Sequence, residues 1–289
     1  MTTVLLALGA ALAYGLSDFL GGVVSRRTSV WPVAFVACLG SALGTLVLAL
    51  VVPGDPSGTD VAWGLLSGIG SGTGTAFLYR GFAAGRMGVV APVSAVGAAV
   101  LPASIAILLG ERPSLLAWLG LLVALPGIWL VSREPSVEDS GARGGARGGA
   151  RGGSAAGLVD GVVAGIGFGL LFATLGQVSD GAGYWPVMGT QVVSLAAVVV
   201  AAMLLGADPR PRHAAQWQGL VAGLLATLAL VCFLLARQQG LLSVAAVLTS
   251  LYPAFTVLLA TLLLGERLHR AQTAGLALCA VTVACIVAG

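Results

Sequence analysis

Residues 133–156, REPSVEDSGARGGARGGARGGSAA, are the longest polar stretch in a chain of 289 residues, and their setting decides the fold. A repeating Gly-Ala-Arg-Gly unit buries nothing and reads as a flexible connector. On either side the chain turns apolar in segments of about 20 residues, the length a helix needs to cross the ~30 Å hydrocarbon core of a bilayer. Before the connector these segments run 3–23, 31–52, 62–83, 89–110 and 114–132; after it, 157–178, 185–205, 215–236, 242–264 and 271–288. In lipid every backbone amide needs a partner within the protein, which leaves helices or a closed barrel. Long apolar runs without two-residue alternation select helices. The expected fold is all-α and polytopic, with ten transmembrane helices.

Laying one flank on the other shows that they are copies. At an offset of 154, Tyr14-Gly15-Leu16 meets Phe168-Gly169-Leu170, Trp31-Pro32-Val33 meets Trp185-Pro186-Val187, and Trp63 meets Trp217. One inserted residue makes the offset 155, and Gly64, Gly68 and Gly85 then meet Gly219, Gly223 and Gly240. Gly110-Glu111-Arg112 meets Gly265-Glu266-Arg267, and Gly120 meets Gly275. The chain divides into a first five-helix repeat (1–132), the connector (133–156) and a second repeat (157–289). Five is odd, so the second copy enters the membrane inverted. Inverted repeats with a site near the midplane between them are a recurring plan of secondary transporters.

Composition agrees. The chain is 58% hydrophobic and 9% charged, with mean hydropathy +1.01, whereas soluble domains carry roughly 25% charged residues. The four cysteines lie in apolar stretches without CxxC spacing, and His213 and His269 sit in predicted loops without ligand-spaced partners. No metal site, disulfide or cofactor is expected. The Gly-Ala-Arg-Gly tract resembles an RGG-type RNA-binding segment, but it has no interleaved aromatic residue and is flanked by membrane spans. Lipid headgroups, not nucleic acid, are the partner expected for its arginines. The apolar run from Val4 has no basic residues before it and suits a retained first span better than a cleaved signal peptide.

Residues that the fold does not require are the candidates for function. Asp18 lies about five residues from the centre of the first span, roughly 7–8 Å along the axis. It shares a face with Tyr14 and, nearly, Ser17. Arg80 ends the third span, and the second copy has Phe172 and Leu235 at the matching places. Intramembrane charges are functional hypotheses by default; the alternative here is a structural Asp18–Arg80 ion pair. Gln191, deep in the seventh span, needs a partner, whether substrate or a neighbouring helix. In the ninth span Thr249, Tyr252, Pro253 and Thr256 share one face, lining a cavity or bonding between helices. Pro253, like Pro102 in the fourth span, permits a kink suited to a gate. In the third span Gly64, Gly68, Gly72, Thr75 and Tyr79 form one face, small until the tyrosine; the glycines read as close helix packing and Tyr79 as a further candidate for substrate binding. Its GSGTG lacks the Gly-Lys-Ser/Thr of a phosphate loop. Glu111–Arg112 and Glu266–Arg267 close spans and read as turn fixtures.

The stretch Leu251-Tyr252-Pro253, with Leu264-Gly265-Glu266-Arg267 and Gly275 after it, resembles the signature end of the EamA-type unit of the drug/metabolite transporter superfamily. The first copy, from Ala91-Pro92-Val93 to Leu109-Gly110-Glu111-Arg112 and Gly120, looks like the same unit, with Ala98 in place of Pro253. The resemblance implies a ten-helix basket with a central cavity, often an exporter of amino acids, other metabolites or drugs. From the residues alone, three classes compete. An intramembrane enzyme would need paired aspartates, a Ser/His pair or a histidine-rich metal site, none of which the spans offer. A channel or a non-transporting scaffold would show no saturable, gradient-dependent flux. A small-molecule transporter fits best; it lacks an ATP-binding motif, which leaves a proton or ion gradient or a separate subunit as the energy source, and a homo-oligomer is compatible with it.

Arginine placement orients the chain. Twelve arginines lie in or beside the loops after spans 1, 3, 5, 7 and 9, and two, Arg112 and Arg237, on the opposite side. The positive-inside rule puts the connector in the cytoplasm and both termini outside, although EamA-type proteins are often drawn the other way.

Overall fold

Each of the ten apolar segments becomes helix, because in lipid no other open-chain conformation satisfies the backbone. The computed structural model describes residues 1–83, 87–132, 150–265 and 268–289. The helices are α1 (Thr2–Arg27), α2 (Val30–Val51), α3 (Gly58–Ala83), α4 (Met87–Leu108) and α5 (Leu115–Ser132), then α6 (Ala150–Leu175), α7 (Trp185–Leu204), α8 (Gly219–Gln238), α9 (Leu242–Thr249), α10 (Tyr252–Leu264) and α11 (Arg270–Ala288). Nine helical stretches among the described residues have the length and apolar composition of membrane spans. The tenth span is α3, diluted by glycine, serine and threonine because it packs against protein on several sides.

Three expectations are corrected. The ninth span is not one helix but two. Pro253 lacks an amide donor and sits in the first turn of α10, while the Ser250 and Leu251 amides turn back to the Ala246 and Leu248 carbonyls and close α9. The first repeat has Ala98 at that position, and α4 runs unbroken past Pro92 and Pro102, both buried. The eighth span is entered through a 3-10 turn, Ala214–Gln218. And α6 starts at Ala150, inside the stretch read as connector; residues 133–149 lie outside the described set.

The packing carries the duplication. Helix α3 lies on α6 and α7, and α8 lies on α1 and α2; α4 lies on α6, and α9–α10 on α1; α5 pairs with α11. Exchanging the two groups of five spans maps each contact onto another, as a pseudo-two-fold between inverted repeats requires. Glycines set the spacing. A Cβ on Gly68 of α3 would stand 2.7 Å from the Val193 Cβ of α7, and one on Gly72 would collide with Ala197. The equivalent Gly223 of α8 abuts the Ala37 backbone of α2. Gly161, Gly165 and Gly169 let α6 meet α4 at Val93, Gly97 and Leu101.

An even number of crossings returns the chain to its starting side, so the loops after α2, α4, α6 and α8 share the N-terminal end. That end is stitched across the repeats. Asp60 accepts hydrogen bonds from Ser57 within its own helix start and from the Ser179 amide (2.8 Å) and hydroxyl (3.0 Å) beyond α6. These donors hold its carboxyl well below the usual range, at about 2. Glu111 caps α9, accepting from the Leu242 amide (2.7 Å), the Ser243 amide (3.0 Å) and the Ser243 hydroxyl (2.6 Å). Arg237 reaches Asp180 at 3.1 Å. Arg112 is exposed beside Glu111, and Glu266 and Arg267 lie outside the described residues.

Candidate functional site

Between the repeats lies a cavity of about 150 Å³. Its walls are Tyr14, Ser17 and Asp18 of α1, Cys38 and Ser41 of α2, Ser71, Thr75 and Tyr79 of α3, Phe168 and Phe172 of α6, Gln191 and Ser194 of α7, Gly223 and Leu230 of α8, and Tyr252 of α10. The α1, α2 and α3 residues run from the middle of those helices, at Tyr14, Ser41 and Ser71, into the halves nearer the connector end, at Asp18, Cys38 and Tyr79, so the cavity extends from the middle of the bundle towards that end. Aromatic rings form its floor: Tyr14 stands edge-on to Phe172 at 6.1 Å between centroids and 6.2 Å from Tyr252, and Phe172 rests on the fully buried Phe233 at 4.8 Å. Helical spacing makes this arrangement: Ser17 and Asp18 follow Tyr14 at three and four residues, and Ser71, Thr75 and Tyr79 follow one another at four.

Asp18 is the one formal charge among the lining residues. Its carboxylate is exposed to the cavity, and its field reaches the phenols of Tyr14, Tyr79 and Tyr252. It has no ion-pair or hydrogen-bond partner among the described residues. Arg80 is not its counter-ion, which corrects the alternative drawn from the sequence. Successive helix residues point about 100° apart, so α3 gives Tyr79 to the cavity and turns Arg80 towards α6. There Arg80 forms an ion pair with Asp160, its Nε donating at 2.8 Å, and stacks over the Phe77 ring at 4.1 Å.

Six of the nine sequence candidates thus share the cavity: Tyr14, Ser17, Asp18, Tyr79, Gln191 and Tyr252. Ser17 also donates to the Ala222 carbonyl at 2.8 Å, tying α1 to α8. Arg80, Thr249 and Thr256 do not line it. Thr256 donates to backbone carbonyls of Gly15 (3.3 Å) and Tyr252 (3.2 Å), joining α10 to α1. Thr249 is fully buried at the α9–α10 break with its hydroxyl unpartnered among the described residues. The sequence reading passes over Cys38, Ser41, Ser194 and Phe168. The available signal was spacing: Ala34, Cys38 and Ser41 recur at four and three residues, as Gln191 and Ser194 do at three. Ser71 and Ser194 bridge α3 and α7 at 3.1 Å, and Ser41 and Thr227 bridge α2 and α8 at 3.1 Å, so the repeats meet around the cavity through hydroxyl pairs.

The family model described as the EamA-like transporter family matches residues 1–133 and 155–288, one match per repeat. The chain belongs to the EamA-like transporter family. A solved structure described as "Crystal structure of protein" covers 98% of this chain and 95% of its own at 16% identity, with a TM-score of 0.71. At that identity it speaks for the fold. No curated protein matches the sequence. EamA-like membership makes this a multi-pass membrane protein of a transporter family, and its cavity is the place to look for a substrate.

Proposed function

We propose that this EamA-like protein is a secondary transporter that exports small molecules carrying a protonated amine or another single positive charge across the cytoplasmic membrane by alternating access. The observation that carries the reading is Asp18: a carboxylate facing an aromatic cavity, without a cation beside it among the described residues. Removing a carboxylate from water is costly unless a positive charge neutralises it. A substrate cation supplies that charge when bound, and tyrosine and phenylalanine faces add attraction for it. A proton on Asp18 takes its place in the empty carrier, which would couple transport to a proton gradient. Gln191 and the hydroxyls of Ser71, Thr75 and Ser194 offer hydrogen bonds to the rest of the molecule. The cavity extends towards the connector end, which the arginine count puts in the cytoplasm, and loading from that side suits export.

The first experiment is a thermal-shift screen of the purified protein against metabolite and drug libraries, because a specific ligand stabilises the state it binds. Hits should be enriched in cations. Flux of a hit in proteoliposomes should saturate, whereas a channel would pass it without saturation. Asp18→Asn should keep the protein folded and lower flux at least about tenfold, since hydrogen bonds to a charged group are worth ~1.5–3 kcal/mol and 1.4 kcal/mol is tenfold. Wild-type flux in that variant would remove Asp18 from the mechanism.

A further inference from the structure

A second hollow, of about 390 Å³, lies at the connector end, away from the central cavity. It is built from both repeats. The α1–α2 turn brings Arg27 and Ser29, and the loop between α7 and the 3-10 turn brings Arg210, Arg212 and His213. Asp208 answers only part of this charge: it pairs with Arg212 and accepts the Arg210 backbone amide at 2.9 Å. The guanidinium groups of Arg27 and Arg210 have no carboxylate partner among the described residues. The cations are not gathered by chance of side-chain rotation. Buried Gln216 anchors the loop, accepting from the Arg212 amide (2.7 Å) and the His213 amide (3.0 Å), and its own amide reaches the Ser29 hydroxyl at 3.5 Å across the repeat boundary. Like charges held around one hollow repel each other, and an anion seated there relieves the repulsion.

Depth in the membrane identifies the anion. The hollow stands at the ends of α1, α2 and α8, at the bilayer edge, and Trp217 beside it is 47% exposed, as suits a tryptophan at the headgroup level. We propose that the hollow binds the phosphodiester of an anionic phospholipid, with Arg27 contributing from the first repeat and Arg210 from the second, so that one lipid clamps the repeats together at the connector end. Guanidinium groups suit this ligand because their paired N–H donors match phosphate oxygens.

The test uses the full-length protein, delipidated in detergent, and follows its unfolding midpoint as lipid is added. Phosphatidylglycerol should raise the midpoint saturably and phosphatidylcholine should not. Arg27→Gln with Arg210→Gln should weaken the apparent affinity about thirtyfold, at ~1 kcal/mol per basic residue near an anionic surface and 1.4 kcal/mol per tenfold. The lysine versions of both changes should retain most of it. Arg143→Gln with Arg147→Gln, an equal loss of charge in the connector, should weaken it far less, because arginines on a Gly-rich coil meet headgroups without a built hollow to hold one. Equal weakening by the connector variant would mean diffuse electrostatics and overturn the site. Saturation by inorganic phosphate at the same concentration would make it a soluble-anion site instead, and no saturable effect of phosphatidylglycerol would remove it altogether.

Discussion

Asp18 and Asp160 both stand on membrane helices, and their neighbours set them apart: Asp160 is ion-paired with Arg80, whereas Asp18 lines the cavity with no ion pair among the described residues. Each lacks a counterpart in the other repeat, where Phe172 and Leu6 occupy the matching positions. Asp18 stands out in the sequence because it is deep in its span. Asp160 stands four residues into the expected sixth span, where charge is ordinary, and only the packing of α3 on α6 reveals its partner. The small polar lining, Cys38, Ser41 and Ser194, was hidden for a related reason: a serine in a membrane helix bonds a neighbour as readily as it faces a hollow, and spacing alone does not choose. Thr249 invites a direct test. A buried, unpartnered hydroxyl costs roughly 1–3 kcal/mol, so Thr249→Val, which keeps the shape, should stabilise the protein by about 1 kcal/mol in a reversible unfolding assay. A loss of flux in that variant would show that the hydroxyl acquires a partner in another state of the transport cycle. Asp60 gives a pH prediction. Its folded pKa of about 2 lies below its ordinary 3.8, so its contribution to stability is present above about pH 4 and disappears as pH falls towards 2. The unfolding midpoint of Asp60→Asn should therefore be lower than wild type at neutral pH, with the gap closing through that window. A gap independent of pH would assign the loss to packing instead.

Among elements, α3 and the α9–α10 pair departed furthest from their sequence readings. Glycine spacing identified the face of α3 that meets α7, because close approach demands small residues. The destination of Arg80 was invisible, since it depends on how α3 is rotated against α6. The pairing with Asp160 now makes a separate prediction from that for Asp18. Arg80→Gln takes an ion-pair partner from a carboxylate that is 1% exposed; breaking a fully buried pair costs about 3–5 kcal/mol, and the partial exposure of Arg80 together with a further interaction of Asp160 reduces this to roughly 2 kcal/mol. Adding Asp160→Asn should recover most of the loss, while flux per folded molecule stays near wild type in both variants. Full stability in Arg80→Gln would mean that the pair is solvated and structurally idle. In the ninth span, Pro253 announced a deformation but not its extent. A kinked helix and a broken one share that proline, and the outcome turned on Ser250 and Leu251 closing α9 before α10 begins.

For the whole molecule, the duplication was legible because five spans diverged under one packing constraint, leaving matching glycines, tryptophans and Gly-Glu-Arg corners at a nearly fixed offset. An inverted repeat fixes the fold but leaves its direction in the membrane free, since turning the bundle over exchanges equivalent ends. Charge has to choose. The arginine-rich end holds twelve of the fourteen, Arg27, Arg210 and Arg212 of the second hollow among them. Translocating that many cations is disfavoured, so the connector should be cytoplasmic and both termini outside. The check is cysteine labelling in intact cells, with Cys38, Cys232, Cys279 and Cys285 replaced so that one introduced thiol reports at a time. A membrane-impermeant maleimide should label Pro56→Cys, in the loop after α2, and reach Ser140→Cys, in the connector, only once the cells are permeabilised. The reverse pattern would place the connector outside. The central cavity would then extend towards the exterior, and import would replace export as the direction its geometry suits.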